Sequence, residues 1–498
     1  MTKTLINSTF KLMLTVLLIN GCDTKKVNPE MVYNPEKGIH IYTKNPMYWQ
    51  YNGNPVFLFG GSSNDNMHQN DTLIAELDLL TSLGGNFVRG NMSWRDEGNV
   101  KPYMAVNDVF DLDVFNPNYW QRFESFVKET KKRGIIIQLE IWPTVDFHKF
   151  NDRGWNENPF NPMFNSNYTM ETSGLPEAHH VYHWEKLNPF FETVPGFSNS
   201  NEVVLNYQKK YVDKILSYTL ESDNILYCIN NENYADSKWR EYWIKYIKNK
   251  AKKKSKRVYC TDMFDNWDNT NKRIVPQNNV TLYDHPNHNK AGSIQTVIDH
   301  PEIYDFIDVS NNGAQFNEIH YATLYTVYKD IYESDHPRPI NVDKIYGGPI
   351  NATWTGGSRQ GAERFWRNLF AGLASARFHR PIYGIGLNEY AQLHVKSMSM
   401  LLNRINLFTM QPDPWFVAYK GKHEVYTLTN EKEGKYAILY LDGGEHSVNL
   451  LGKVKIEWLN ILKNEWLETR EVTLKKGSKI SAPDSEFWIA YITKNKTN

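Results

Sequence analysis

Eight times between residues 56 and 385 a short apolar run gives way to a stretch with helical spacing, and that alternation narrows the fold more than any other feature of the sequence. The runs fall at 56–59, 86–89, 135–141, 225–229, 257–261, 306–309, 339–342 and 381–385, with helical stretches such as 73–83, 119–133, 203–219, 238–254, 319–333 and 361–377 between them. Runs of β-branched and aromatic residues without polar alternation are what strands buried on both faces look like. The pattern predicts an α/β chain with a (β/α)8 TIM barrel over residues 37–412. An open doubly wound sheet is the alternative, but Gly60-Gly61-Ser62-Ser63 lacks the spacing of a phosphate-binding fingerprint.

Ahead of the barrel, 38–55 alternates and carries an Asn52-Gly53 turn, which predicts a hairpin closing one end. Past Asp413 the helical period gives way to alternating segments at 426–428, 436–441, 454–458, 465–472 and 487–492, separated by turn clusters such as Asp442-Gly443-Gly444. An accessory antiparallel β-sandwich over 413–498 is expected.

At the amino end, Lys3 and Lys11 precede an apolar run at 12–19 that is too short to span a membrane and is followed by Gly21 and Cys22. This resembles a bacterial lipoprotein signal. The resemblance implies a signal peptide at 1–21, lipidation of Cys22, a tether over 22–36, and a lipid anchor in the bacterial outer membrane, facing the cell surface or the periplasm. A plain secretory peptide is the alternative. Cys228 and Cys260 each lie in an apolar run, as packing residues do, so no disulfide framework is expected. His179, His180 and His183 lack a completing Cys or carboxylate pair, so no metal and no cofactor is expected. With 56 basic and 56 acidic residues the chain offers no electrostatic case for nucleic acid, whereas 15 Trp, 30 Tyr and 24 Phe tilt towards sugar stacking.

Side chains at the carboxyl ends of barrel strands converge on one cleft. The candidates there are Asn64 and Asp65, Arg89 and Asn91, Glu140 and Trp142, Asn231 and Glu232, Asp262, Asn311 and Asn312, and Asp343 with Tyr346 beyond. The long connection at 142–201 adds His148 to the expected substrate cleft. Amides and carboxylates in this mixture bind hydroxyls and move protons, which suits a carbohydrate.

Gly84-Gly85-Asn86-Phe87-Val88-Arg89, Asn231-Glu232 and a strand-seven carboxylate with a nearby Tyr resemble the clan A glycoside hydrolases over about residues 37–411. The resemblance implies that Glu232 is the acid/base, Asn231 a sugar ligand, Arg89 a brace for the strand-seven carboxylate and Asp343 that carboxylate. It also implies a place among the lipoproteins that Bacteroidetes encode in polysaccharide-utilisation loci to attack plant or algal wall glycans. One position departs from the pattern: the clan has Glu on strand seven where this chain has Asp343. A carboxylate withdrawn by one C–C bond, about 1.5 Å, suits poorly the separation of about 5–5.5 Å that retention needs. Asp262, Glu140 and Glu363 are alternative partners, Glu363 being better explained as an ion pair with a neighbouring Arg.

Three functions fit. Glycoside hydrolysis leads. The alternative is a lyase or dehydratase eliminating water or sugar at a uronic-acid end of an acidic glycan such as ulvan, with His68, His148, His285, His288 or Tyr346 as base and Arg89, Asn91, Asn231 and Lys344 as neutralisers. The third is a surface glycan-binding protein.

Overall fold

The computed structural model describes residues 36–148, 153–180, 186–232, 235–263, 296–310, 319–350, 355–417 and 423–494, and the backbone alone at 274–275, 280–281, 294–295 and 317–318. Eight strands carry the α/β part: β1 (Leu58–Gly61), β2 (Phe87–Asn91), β3 (Ile136–Pro143), β4 (Ile225–Asn231), β5 (Tyr259–Thr261), β6 (Ile307–Asp308), β7 (Ile340–Asn341) and β8 (Ser375–Phe378). After them in turn come α1 (Leu73–Ser82), α2 (Pro117–Lys132), α3 (Glu202–Thr219), α4 (Ser237–Lys253), α5 (Ile294–Asp299), α6 (Asn317–Tyr332), α7 (Ser358–Phe370) and α8 (Glu389–Leu402).

Strands β2 to β5 pair in parallel in that order, as do β6 with β7 and β8 with β1. Further backbone bonds join the pieces, among them Asn86 N donating to Phe59 O at 3.0 Å, Asp305 N to Cys260 O at 2.9 Å and Ala374 N to Ile340 O at 2.8 Å. The order of bonded neighbours thus returns to its start. Helix starts are set by short polar caps: the side chains of Asn116, Asn201, Asp236 and Asn388 each accept a backbone N–H of α2, α3, α4 and α8. Gly84, with φ +83°, ends α1 and turns the chain into β2, and a Cβ there would lie 2.2 Å from Ser399 Oγ.

Three expectations need correction. The eighth strand is Ser375–Phe378, not 381–385, and the helix expected over 361–377 stops at Phe370. Alanines at 371, 374 and 376 continue a helical pattern, but Gly372 at φ +84° breaks the helix and pairing with Leu58–Gly61 overrides propensity. Pro381 begins a turn in which Gly384 N donates to Arg380 O at 2.8 Å. The first strand likewise starts later than expected, since Val56 belongs to the amino-terminal sheet of Ile39–Ile41, Trp49–Tyr51 and Asn54–Val56. That sheet turns at Asn52-Gly53 as expected, and its Trp49 indole donates to Asn341 Oδ1 at 2.9 Å. A hairpin not foreseen, Tyr103–Val106 with Val109–Phe115, turns on Asn107 and Asp108, both at positive φ.

The carboxyl-terminal part is antiparallel: β9 (Val425–Asn430), β10 (Lys435–Tyr440), β11 (Gly452–Asn460), β12 (Arg470–Leu474) and β13 (Trp488–Lys494) lie in one sheet. Alternation sorts its side chains. Tyr426, Leu428, Leu439, Leu459 and Ile489 join the core of the α/β part, while Ile438, Tyr440, Ile456, Trp458 and Trp488 form a second core. A two-stranded sheet, Glu445–Ser447 with Lys479–Ser481, contributes Ile480 to that second core. Among the described residues no helix is long and apolar enough to cross a membrane.

Candidate active site

Six of the expected residues, Asp65, Arg89, Asn91, Glu140, Asn231 and Asp343, meet in one polar set centred on Arg89. Its guanidinium donates twice to Glu140, at 2.6 Å each, and once to Asn231 Oδ1 at 2.8 Å. Nη1 lies 2.8 Å from Asp65 Oδ2, and Nε 3.8 Å from Asp343 Oδ2. Asn91 donates to the same Glu140 at 2.6 Å. Strand alternation selects these side chains: on β4 Asn231 turns to Arg89, whereas Asn230 turns the other way, to Asp262 and the indole of Trp239.

All these groups are buried, and their charges are arranged accordingly. Burial pushes Glu140 up to about 7, against the pull of Arg89. Asp65 would also rise on burial, but Arg89, His379 and Arg380 outweigh that and hold it well below the usual carboxylate range. Arg89 is drawn on by Asp65 and Glu140 strongly enough to overcome its own burial.

Asp343 is tied down from below. Its Oδ1 accepts from Ser310 Oγ at 2.6 Å and its Oδ2 from Gln138 Nε2 at 3.0 Å. Gln138 also donates to Asp308, whose other oxygen accepts the Ser310 N–H at 2.6 Å. Burial and then the neighbouring Asp343 push Asp308 well above its ordinary value. With both oxygens occupied, Asp343 has no exposed surface.

Glu232 is different. Its side chain is 16% exposed and ion-pairs with Lys344, which also donates to Asn231 Oδ1 at 3.1 Å. Its backbone has φ +49°, a left-handed value that costs a side-chain-bearing residue about 1–3 kcal/mol. Among the described residues the other non-glycine positions with positive φ are Asn, Asp and Ser. A strained Glu at a strand end is the backbone anomaly that functional sites tend to carry.

Elsewhere the placement differs from expectation. The Trp142 ring is wholly buried against Tyr211, Trp239 and Trp243 of α3 and α4, away from any substrate. His148 is buried too, with Nδ1 3.0 Å from Thr144 O and Nε2 accepting the Asn188 N–H at 3.1 Å, so it fixes the loop after β3. Asp262 is taken by Arg240 and by the backbone and side chain of Asn230, a buried structural pair. Tyr346 stacks on His379 with ring centroids 4.8 Å apart. Asn311 lies outside the described residues, as do Asn312, His183, His285, His288 and Cys22. His68 is packed edge-on against Tyr119 and Phe123, and Glu363 pairs with Arg359 and Arg367. His179 packs on His148. Among the described residues no group of three His, Cys, Asp or Glu is placed to hold a metal ion.

Sequence reasoning missed Gln138, Asp308 and Ser310, and the basic group Arg95, Arg377, His379 and Arg380. Arg377 lies on β8 and His379 and Arg380 follow it, so displacing that strand to 381–385 hid them. The signal was available, because Arg377-Phe378-His379-Arg380 is a basic run at a strand's carboxyl end.

No family model matches the chain, and no curated protein matches it in sequence. Solved structures do match in fold. A glycoside hydrolase family 5 protein from Bacteroides vulgatus superposes with a TM-score of 0.60 at 12% identity, over 93% of this chain and 95% of that one. A second structure from the same organism, described as a glycoside hydrolase, gives 0.55 at 14%, covering 92% and 82%. An α-amylase from Geobacillus thermoleovorans gives 0.51 at 11%, covering 89% and 99%. At such identities the likeness is one of fold, and it spans both the α/β part and the carboxyl-terminal sheet.

Proposed function

We propose that the chain is a carbohydrate-active enzyme of glycoside-hydrolase type, built on a (β/α)8 barrel over 37–412 with an accessory β-sandwich over 413–498. Glu232 is its proton-transfer residue. The reading rests on one observation: Asn231 and Glu232 from β4, Arg89 from β2 and Asp343 beyond β7 join one bonded set, in which Glu232 is the acid that meets solvent. Such a carboxyl can hand a proton to a leaving glycosidic oxygen. Asn231 and Lys344 hold it in place. Export with a lipid at Cys22 and a plant or algal wall glycan as substrate belong to the same proposal, on the strength of the leader and of the site's amides and aromatic neighbours. Glu232→Gln should cut turnover of oligosaccharides by at least about a hundredfold while leaving the protein folded, with the introduced amide oxygen still able to accept from the buried Lys344. Turnover that survives the change, followed through new reducing ends, would remove Glu232 from the mechanism.

A second reading is favoured by the Glu232–Lys344 pair and the burial of Asp343. Hydrolysis needs a second carboxylate or a water it activates, and Asp343 is held by Gln138 and Ser310. Elimination from a uronic acid needs a base and a nearby cation. Glu232 would take the proton beside the sugar carboxylate, the C–O bond to the leaving group would break, and a C=C bond would form with Lys344 neutralising the developing charge. Ultraviolet absorbance of an unsaturated uronate supports this route. Reducing ends without that absorbance support hydrolysis.

A further inference from the structure

The basic group beside the proposed site is short of partners. Asp65 is approached by Arg89 at 2.8 Å, Arg95 at 2.9 Å, His379 at 3.3 Å, Arg380 at 3.4 Å and Arg377 at 3.9 Å. Of these, Arg380 and Arg95 also share Asp96, with Arg380 Nη1 2.9 Å and Arg95 Nε 4.0 Å from its Oδ1. Arg377 bonds only neutral oxygens, Ser62 Oγ and Asp343 O, and no carboxylate oxygen lies closer to it than Asp65. Among the described residues the Nε–H groups of Arg95 and Arg377 are buried and make no hydrogen bond, and that of Arg380 lies 3.4 Å from Asp65 Oδ2 without forming one. A buried guanidinium with spare donors is costly unless an anion completes it.

The cluster stands at the carboxyl ends of β1, β2 and β8, and it reaches solvent at Asp96, whose side chain is 31% exposed beside Arg380. Tyr346, His379 and Tyr383 stack next to it, with centroids 4.8 Å and 6.2 Å apart; Tyr346 and His379 are buried, and Tyr383 is the half-buried member nearest solvent. Arg89 links the cluster through Asn231 and then Lys344 to Glu232. Burial and the adjacent Arg380 already press Arg95 below its ordinary range, the mark of crowded cations.

We infer that the site takes a sugar carrying an anionic group, a carboxylate or a sulfate, and that Arg380 and Arg95 bind that group beside the Tyr346–His379–Tyr383 stack. The inference rests on the carbohydrate-active reading of the same site and names its substrate class. Guanidinium forks match the oxygens of either group and form charge-assisted bonds about twice as strong as neutral ones.

The test is calorimetric titration of the full mature chain carrying Glu232→Gln, which prevents turnover. Three ligands are compared: an oligosaccharide ending in glucuronate, the same oligosaccharide with its carboxyl reduced to the alcohol, and a sulfated neutral counterpart. The uronate or the sulfated ligand should bind at least tenfold more tightly than the reduced one, and whichever binds best identifies the anion. Raising salt should weaken that binding and leave the neutral ligand unchanged. Arg380→Gln should erase most of the preference, and Arg95→Gln gives an independent second variant should the first fail to fold. Equal binding of all three ligands, or a preference that survives both variants, overturns the inference. Separate turnover assays keep the two claims apart: activity lost from the wild type on every glycan defeats the enzyme reading, whereas a tenfold anion preference would still uphold this one.

Discussion

Arg89→Met is the most informative perturbation of the network. The guanidinium neutralises Asp65 and Glu140 and holds Asn231, all inside the protein. Removing one partner of a buried ion pair costs about 3–5 kcal/mol, and that is the loss expected at pH 7. It should depend on pH in a defined direction. Glu140, pushed up to about 7 in the native protein, would rise further once Arg89 is gone. Above pH 7 the variant's folded state then keeps a proton that the wild type has released, so the loss grows by about 1.4 kcal/mol per pH unit. Below pH 6 Glu140 is protonated in both, and the remaining loss comes from Asp65 and Asn231. Urea unfolding followed by tryptophan fluorescence at pH 5.5, 7 and 8.5 measures the slope. Arg89→Lys, which keeps the charge but not the fork, should lose less at every pH. A loss under 1 kcal/mol at pH 7, or one that does not change with pH, would refute the argument.

Asp262→Asn should destabilise the fold by about 3–5 kcal/mol by stranding Arg240, yet leave KM unchanged; a raised KM with normal stability would return Asp262 to the substrate cleft. Asp146 is pushed up to about 7 by burial, so the wild type binds a proton when folded that the unfolded chain has released, and its unfolding free energy falls by up to about 4 kcal/mol between pH 4 and 7. Asp146→Asn should remove that contribution and leave the slope that Glu140 supplies between about pH 4.5 and 7, and denaturation across the window will show the difference. Gly84→Ala should cost about 1–2 kcal/mol from the left-handed backbone alone, and Ser399→Gly should relieve the clash without restoring that part.

What could be read from the sequence follows from which forces are local. Strands such as Ile136–Pro143 announce themselves because burial on both faces leaves an apolar run, and Asn201 or Asn388 announce helix starts by chemistry within three residues. Ser375–Phe378 could not be found this way, since its strand character comes from pairing with Leu58–Gly61, more than 300 residues earlier. The site shows the same division. Arg89, Asn231 and Glu232 were legible as polar residues closing apolar runs. Trp142 was misjudged because residue type does not say which side of a barrel wall a ring faces, and Asp262 because its partner Arg240 sits on a helix whose facing residue the sequence does not reveal.

The mouth of this fold poses an energetic question of its own. Apolar layers fill such an interior at least as stably as ions do, because desolvating charges offsets most of what their attraction returns. Here Arg89, Glu140, Asp65, Asp343, Asp308 and Arg377 are all wholly or almost wholly buried at one end of the strand ring. Stability alone gives no reason for that composition. Under the proposed function preorganisation does: charges fixed by Gln138, Ser310 and Asn91 would not rearrange when charge develops on a bound sugar, with Glu232 and Lys344 at the edge where solvent ends. A network of this kind should therefore tolerate loss of the exposed acid with little effect on folding and tolerate loss of its buried centre poorly. The contrast between Glu232→Gln and Arg89→Met measures that difference directly.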